Sequence, residues 1–177
     1  MFHGWENFYF MTGSAAASLI GLLFVVVTLT SGRELSQVMR GQALYMTPTA
    51  LHYAIVLTMS AAVVAPGLSL PMMATLLGLI ALVGLINALK ACVGLAGLGK
   101  NPDPPHWSDF WMYGVTPMLV YLALCVTAIF LGLAAPWAPY VMAALQLTLL
   151  LTAIRNAWDL ITWMAPRVGG GSSSGNG

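Results

Sequence analysis

The chain has 177 residues, of which 59% are hydrophobic and only 6% charged, with six Lys and Arg against five Asp and Glu. A soluble domain carries about 25% charged residues, so a water-soluble globular fold is excluded and a polytopic membrane protein is expected. The formal net charge of +1 gives no electrostatic reason for binding nucleic acid or an acidic substrate, and five spans of roughly 20 to 25 residues leave no room for a folded domain outside the bilayer.

The expected elements follow in chain order. The opening MFHGWENFYF lacks the basic region of a cleaved signal, so the first apolar segment, about 5–30, is read as a retained helix with Glu6 at its start. A loop of about 31–46 follows, in which Leu35, Val38 and Met39 share one face of a short interfacial helix. The second span, about 47–65, opens on Thr47 as N-cap with Pro48 behind it, where the missing N–H costs nothing. It stops at Pro66–Gly67. The third span, about 70–98, exceeds the ~20 residues needed to cross, and Lys90 within it reaches the headgroups along its aliphatic stem.

Asn101, Pro102, Pro104 and Pro105 break the chain before the fourth span, about 108–133. In that span Pro117, with Gly114 nearby, predicts a kink, which serves either as a hinge or as a static bend satisfied by neighbours. A short turn at Pro136 leads to the fifth span, about 139–165, ended by Pro166. Residues 1–166 are thus read as a single five-helix transmembrane domain, and 167–177 as a Gly/Ser tail, flexible by composition.

Arg33, Arg40, Lys90, Lys100, Arg155 and Arg167 all fall at one end of these spans. Lys and Arg resist translocation, so that end is cytoplasmic, with the N-terminus outside and the C-terminus inside. Trp and Tyr collect at membrane interfaces. Trp5, Tyr9, Trp137 and Tyr140 fall at the outer level, whereas Tyr45, Tyr53, Trp107, Trp111, Tyr113, Trp158 and Trp163 fall at the inner one. Tyr121 alone lies deep.

The fifth span holds the strongest polar pattern. Thr148, Thr152, Arg155, Asp159 and Thr162 recur at alternating steps of four and three, which puts them on one helix face, with Asn156 bordering it and Gln146 pointing elsewhere. Intramembrane charge is costly and points to function. Either this face lines a water-filled path, or Arg155 and Asp159 form a local pair near the inner interface while the threonines bond back to the backbone.

Gly13, Ala17 and Gly21 recur every four residues in the first span, a spacing that lets helix backbones approach closely. Their role is either self-association or packing within the bundle. Ala74, Gly78, Ala81, Gly84 and Ala88 form a looser equivalent in the third span. His52 is a candidate proton relay or a hydrogen-bonded interfacial residue, and Asn87 a candidate for interhelical hydrogen bonding or pore lining. Cys92 and Cys125 differ in depth, which argues against a disulfide, and both read as small buried apolar residues.

No phosphate-binding loop, zinc-protease motif, nucleophile elbow or Cys-x-x-Cys is present. His, Cys and carboxylates show no metal-ligand spacing, and the deep hydroxyls have no neighbouring base. No catalytic residue, metal or cofactor is therefore expected.

The opening from Trp5 through Phe8, Tyr9, Phe10, Met11 and Gly13, followed by Gly21-Leu-Leu-Phe-Val, resembles the start of small bacterial inner-membrane proteins without assigned function. The closing Arg155-Asn-Ala-Trp-Asp-Leu160 with Trp163-Met-Ala-Pro166 is similar in kind. The resemblance implies a multi-span bacterial inner-membrane protein and nothing about activity. The expected function is a non-enzymatic membrane subunit that packs with itself or with other membrane subunits. The alternative is an oligomeric ion or small-solute channel lined by the polar face of the fifth helix.

Overall fold

The computed structural model describes residues 2–30, 46–98 and 107–164. It is all-helical, with no strand among the described residues. Five helices are long and apolar enough to cross a membrane. They are α1 (Glu6–Thr30), α2 (Thr47–Val64), α3 (Leu70–Leu98), α4 (Trp107–Gly132) and α5 (Ala138–Met164). The expected interfacial face of Leu35, Val38 and Met39, the basic residues Arg33, Arg40, Lys100 and Arg167, the loop at 99–106 and the tail lie outside the described residues.

Turn chemistry sets the helix ends. Thr47, expected as a cap, is instead the first residue of α2, and Pro48 sits in the first turn as anticipated. Beyond α2, Gly67 takes a φ of +80°, a backbone conformation that glycine adopts without steric penalty. At the other hairpin α4 ends with Ala134 at a φ of 59°. There the Ala135 N–H reaches back to the Phe130 carbonyl at 3.0 Å and the Ala134 N–H to the Leu131 carbonyl at 3.0 Å. This bond pattern satisfies carbonyls that a helix end leaves without partners.

Chain neighbours pack as pairs around the bundle, α1 on α2, α2 on α3, α3 on α4 and α4 on α5, and α1 against α5 closes the circuit. α2 also packs on α5 across the middle. Half of the apolar window of α2 and of α5 is buried, against 22% of that of α1, so α2 and α5 form the centre and α1 stands at the edge. The core between them holds Tyr53, Val56, Met59, Leu77, Leu124, Leu131, Met142 and Leu149.

The α3/α4 pair shows why small residues recur on α3. A Cβ built on Gly78 would touch Ala128 at 3.5 Å, one on Gly132 would touch Ala74 at 3.5 Å, and one on Gly114 would meet the Cys92 backbone at 3.3 Å. As the position on one helix rises, its partner on the other falls by a matching step, the signature of two antiparallel helices in close register. Near their middle, a Cβ on Gly84 would collide with the Tyr121 ring. Gly84 is the notch that admits this side chain.

The outside of the bundle is as apolar as its inside. Phe10, Phe24, Val93, Ile129 and Leu133 are all exposed, an arrangement compatible with lipid contact and unfavourable in water.

Candidate functional site

Polar side chains gather at three places inside the bundle and along one face outside it. The first interior group joins α1, α2 and α5. Gln146 Nε2 donates to Thr12 Oγ1 at 3.0 Å and to Ser60 Oγ at 2.8 Å. The two hydroxyls lie 3.2 Å apart, and Thr12 also donates to the Tyr9 carbonyl of its own helix at 3.2 Å. Thr12 has one proton, so Ser60 must be the donor to Thr12, and every hydrogen of the trio is then used. The close approach has a sequence cause: a Cβ on Gly13 would sit 2.9 Å from the Ser60 Cβ, so only glycine lets α1 lie this near α2. Gln146 Oε1 and the Tyr9 hydroxyl are buried without partners.

The second group crosses from α2 to α4. His52, only 2% exposed, places Nδ1 2.7 Å from the Tyr121 hydroxyl. Its Nε2 and the hydroxyl of adjacent Tyr53 are buried without partners. Tyr121, which stands apart from both expected aromatic belts, is deep because it reaches His52 through the Gly84 notch.

The third group explains the expected kink. α4 carries a π turn at Phe110–Val115, in which the Thr116 N–H reaches the Trp111 carbonyl. The same i, i+5 step would pair the Met112 carbonyl with residue 117, but Pro117 has no N–H to offer. Asn156 of α5 supplies the donor instead, with Nδ2 3.1 Å from the Met112 carbonyl. Tyr113 returns a bond in the other direction, its hydroxyl donating to the Asn156 carbonyl at 2.7 Å. Asn156 is fully buried. The bend at Pro117 is thus a π turn clasped by the neighbouring helix.

The outward face belongs to α5. Arg155 Nη1 lies 3.0 Å from Asp159 Oδ2, with the side chains 38% and 41% exposed, and 3.4 Å from Asn156 Oδ1. The Thr148 hydroxyl donates to the Ala144 carbonyl, Thr152 to the Thr148 carbonyl, and Thr162 to the carbonyls of Trp158 and Asp159. Thr148 and Thr162 are exposed and Thr152 is buried. The face therefore lies on the flank of the bundle, and its recorded polar contacts stay within α5.

The other sequence candidates separate. Gly13 packs inside against Ser60, whereas Ala17 and Gly21 are exposed and nothing lies within 4 Å of a Cβ built on Gly21. The expected single packing face is split between interior and surface. Asn87 Nδ2 donates to the Val83 carbonyl of its own helix at 2.8 Å, not to a neighbour. Cys92 and Cys125, expected to be buried, are free thiols and half-buried. Among the described residues no group of three or more His, Cys, Asp and Glu could hold a metal ion.

Sequence reasoning missed Gln146, Thr12, Ser60, Tyr113 and the Gly84–Tyr121 pair as polar or packing contacts. One signal was available. Gln146 and Asn156 stand ten residues apart and share a face with Met142, Leu149 and Ala153, the face that turns inward.

Comparison with protein-family models, with curated proteins and with solved structures finds no match to this chain.

Proposed function

We propose that the protein is a non-enzymatic integral membrane subunit, anchored in a bacterial inner membrane with its N-terminus outside and its C-terminus in the cytoplasm, that works as part of an assembly of membrane proteins. One observation carries this reading: the Arg155–Asp159 pair, half-exposed, lies with Thr148 and Thr162 on the outer flank of an otherwise apolar bundle. An outward charge pair facing hydrocarbon is unfavourable, and a protein neighbour that covers it removes the penalty. The interior supports the same reading. Its polar atoms largely join helix to helix.

The test is the mass and composition of the particle in nanodiscs formed directly from native membranes. Copies of this chain alone, or this chain with other proteins at fixed stoichiometry, are the expected results. A particle of one chain overturns the reading.

The outward threonines and charges also favour a second reading, a channel. From Thr148 to Thr162 the face extends about 21 Å at 1.5 Å per residue, and a path lined by it lies between copies, not within one. Conductance of the purified oligomer in planar bilayers tests this. Ion selectivity that changes with Arg155→Gln supports it, and a silent bilayer rejects it.

A further inference from the structure

We propose that the Trp107 end of α4 is a two-position switch. Its states are the π turn at Phe110–Val115 and a plain α-helical register, and the clasp made by Asn156 and Tyr113 holds it in the first. The switch lies within one chain and does not depend on the assembly reading.

Backbone chemistry supplies the two states. In the structure the Thr116 N–H reaches the Trp111 carbonyl, five residues back. The carbonyl that then faces the missing N–H of Pro117 is that of Met112. In an α register the Thr116 N–H reaches Met112, four residues back, and the carbonyl facing Pro117 becomes that of Tyr113. Proline therefore removes one bond from either register and does not by itself choose between them. The remaining penalties oppose each other. The proline ring crowds the carbonyl four residues back in the α register, and the π turn is itself an uncommon geometry.

The choice is made by α5. Asn156 Nδ2 donates at 3.1 Å to the Met112 carbonyl, which the Thr116 N–H would take in the other register. The Tyr113 hydroxyl donates at 2.7 Å to the Asn156 carbonyl. Tyr113 and Asn156 are both buried, so water does not replace either bond when it breaks. Both bonds need residues 112 and 113 where they now stand against α5, and a change of register moves the two residues together. The clasp opens as a unit.

On the other side, α3 gives the turn room to move. Gly114 lies within the turn, and a Cβ there would meet the Cys92 backbone at 3.3 Å. With glycine at this contact, no side chain has to cross α3 when the register changes. Trp111 is exposed, whereas Phe110 and Met112 are half-buried. Switching changes which of these three side chains is outermost.

Fluorine NMR of the protein labelled with fluorotryptophan, in nanodiscs, tests the switch. Trp107 and Trp111 are assigned by the resonances lost in Trp107→Phe and Trp111→Phe. Helix register shifts take microseconds to milliseconds, so both indoles are expected to show exchange broadening with one shared rate and population. Trp137, at the opposite end of the bundle, is expected to show none. Tyr113→Phe removes one clasp bond and little volume, and is expected to raise the minor population about five-fold, the equivalent of one hydrogen bond. Asn156→Leu is expected to act in the same direction. Should Asn156→Leu fail to fold, Tyr113→Phe, which lacks only a hydroxyl, still decides.

A Trp111 resonance that stays single and sharp in the wild type and in the variants overturns the switch. Broadening at Trp111 that Trp107 does not share also overturns it, because such motion belongs to one side chain and not to a register. A shared exchange whose population Tyr113→Phe leaves unchanged shows that the clasp does not hold the turn, and overturns it as well.

Discussion

On the inward side of α5, Gln146 and Asn156 send amide donors to α1, α2 and α4. On the outer flank, Thr148 and Thr162 return their hydroxyls to carbonyls of α5 itself, and Arg155 meets Asp159 one turn on. The two sides use similar chemistry to different ends. Inside, a donor whose partner lies on another helix fixes which helices are neighbours and in what register, because an orphaned polar group in a low-dielectric core is expensive. Outside, each group is satisfied locally, within its own helix.

Breaking the interior side is expected to have the larger effects, all measurable as shifts in the unfolding of the purified protein in detergent. Gly84→Ala drives a methyl group into the Tyr121 ring, which is tethered at its hydroxyl to His52, and is expected to cost about 3 kcal/mol, the upper end for overpacking. Asn156→Leu removes the donor on which the Met112 carbonyl depends, at about 2 kcal/mol for a buried acceptor left unpaired. Pro117→Ala restores a backbone N–H, so in the Asn156→Leu background it is expected to recover part of that loss. A purely additive double-mutant cycle would show that the amide and the missing N–H are not coupled. Gln146→Leu is expected to cost less, about 1 kcal/mol, because Thr12 and Ser60 keep each other and the Tyr9 carbonyl. Thr148→Val on the outer face should stay within about 0.5 kcal/mol for the monomer. A larger loss there, seen only when the protein is associated, would locate the outer face in an interface.

This contrast also marks what the sequence makes legible. Apolar length and proline punctuation suffice for five long apolar helices, and the expected ends fall within a residue or two of those of α1 to α5. Polar spacing identifies the Thr148–Thr162 face. Which way that face turns is not legible, because in a chain with 59% hydrophobic residues the lipid side is as apolar as the core, and the amphipathic contrast that orients a soluble helix is missing. Gln146 shows the consequence. It is a single polar residue with no partner on its own helix face, and its role depends on Thr12 and Ser60, far away in sequence. Likewise Pro117 and Gly114 announce a bend, but whether the bend is an open kink or a π turn is decided by Asn156 across the helix boundary.

The π turn at Phe110–Val115 has a geometric effect on everything before it. One additional residue in the turn slips the helical phase by roughly 100°, the rotation of a single residue in an α-helix. Trp107 and Trp111, 70% and 49% exposed, lie upstream of or within the slip. The compass bearing of these two indoles around α4 is therefore set by the one extra residue of the π turn. Deleting a single residue between Phe110 and Val115 would swing that aromatic pair toward a different flank while leaving the rest of α4 where it stands.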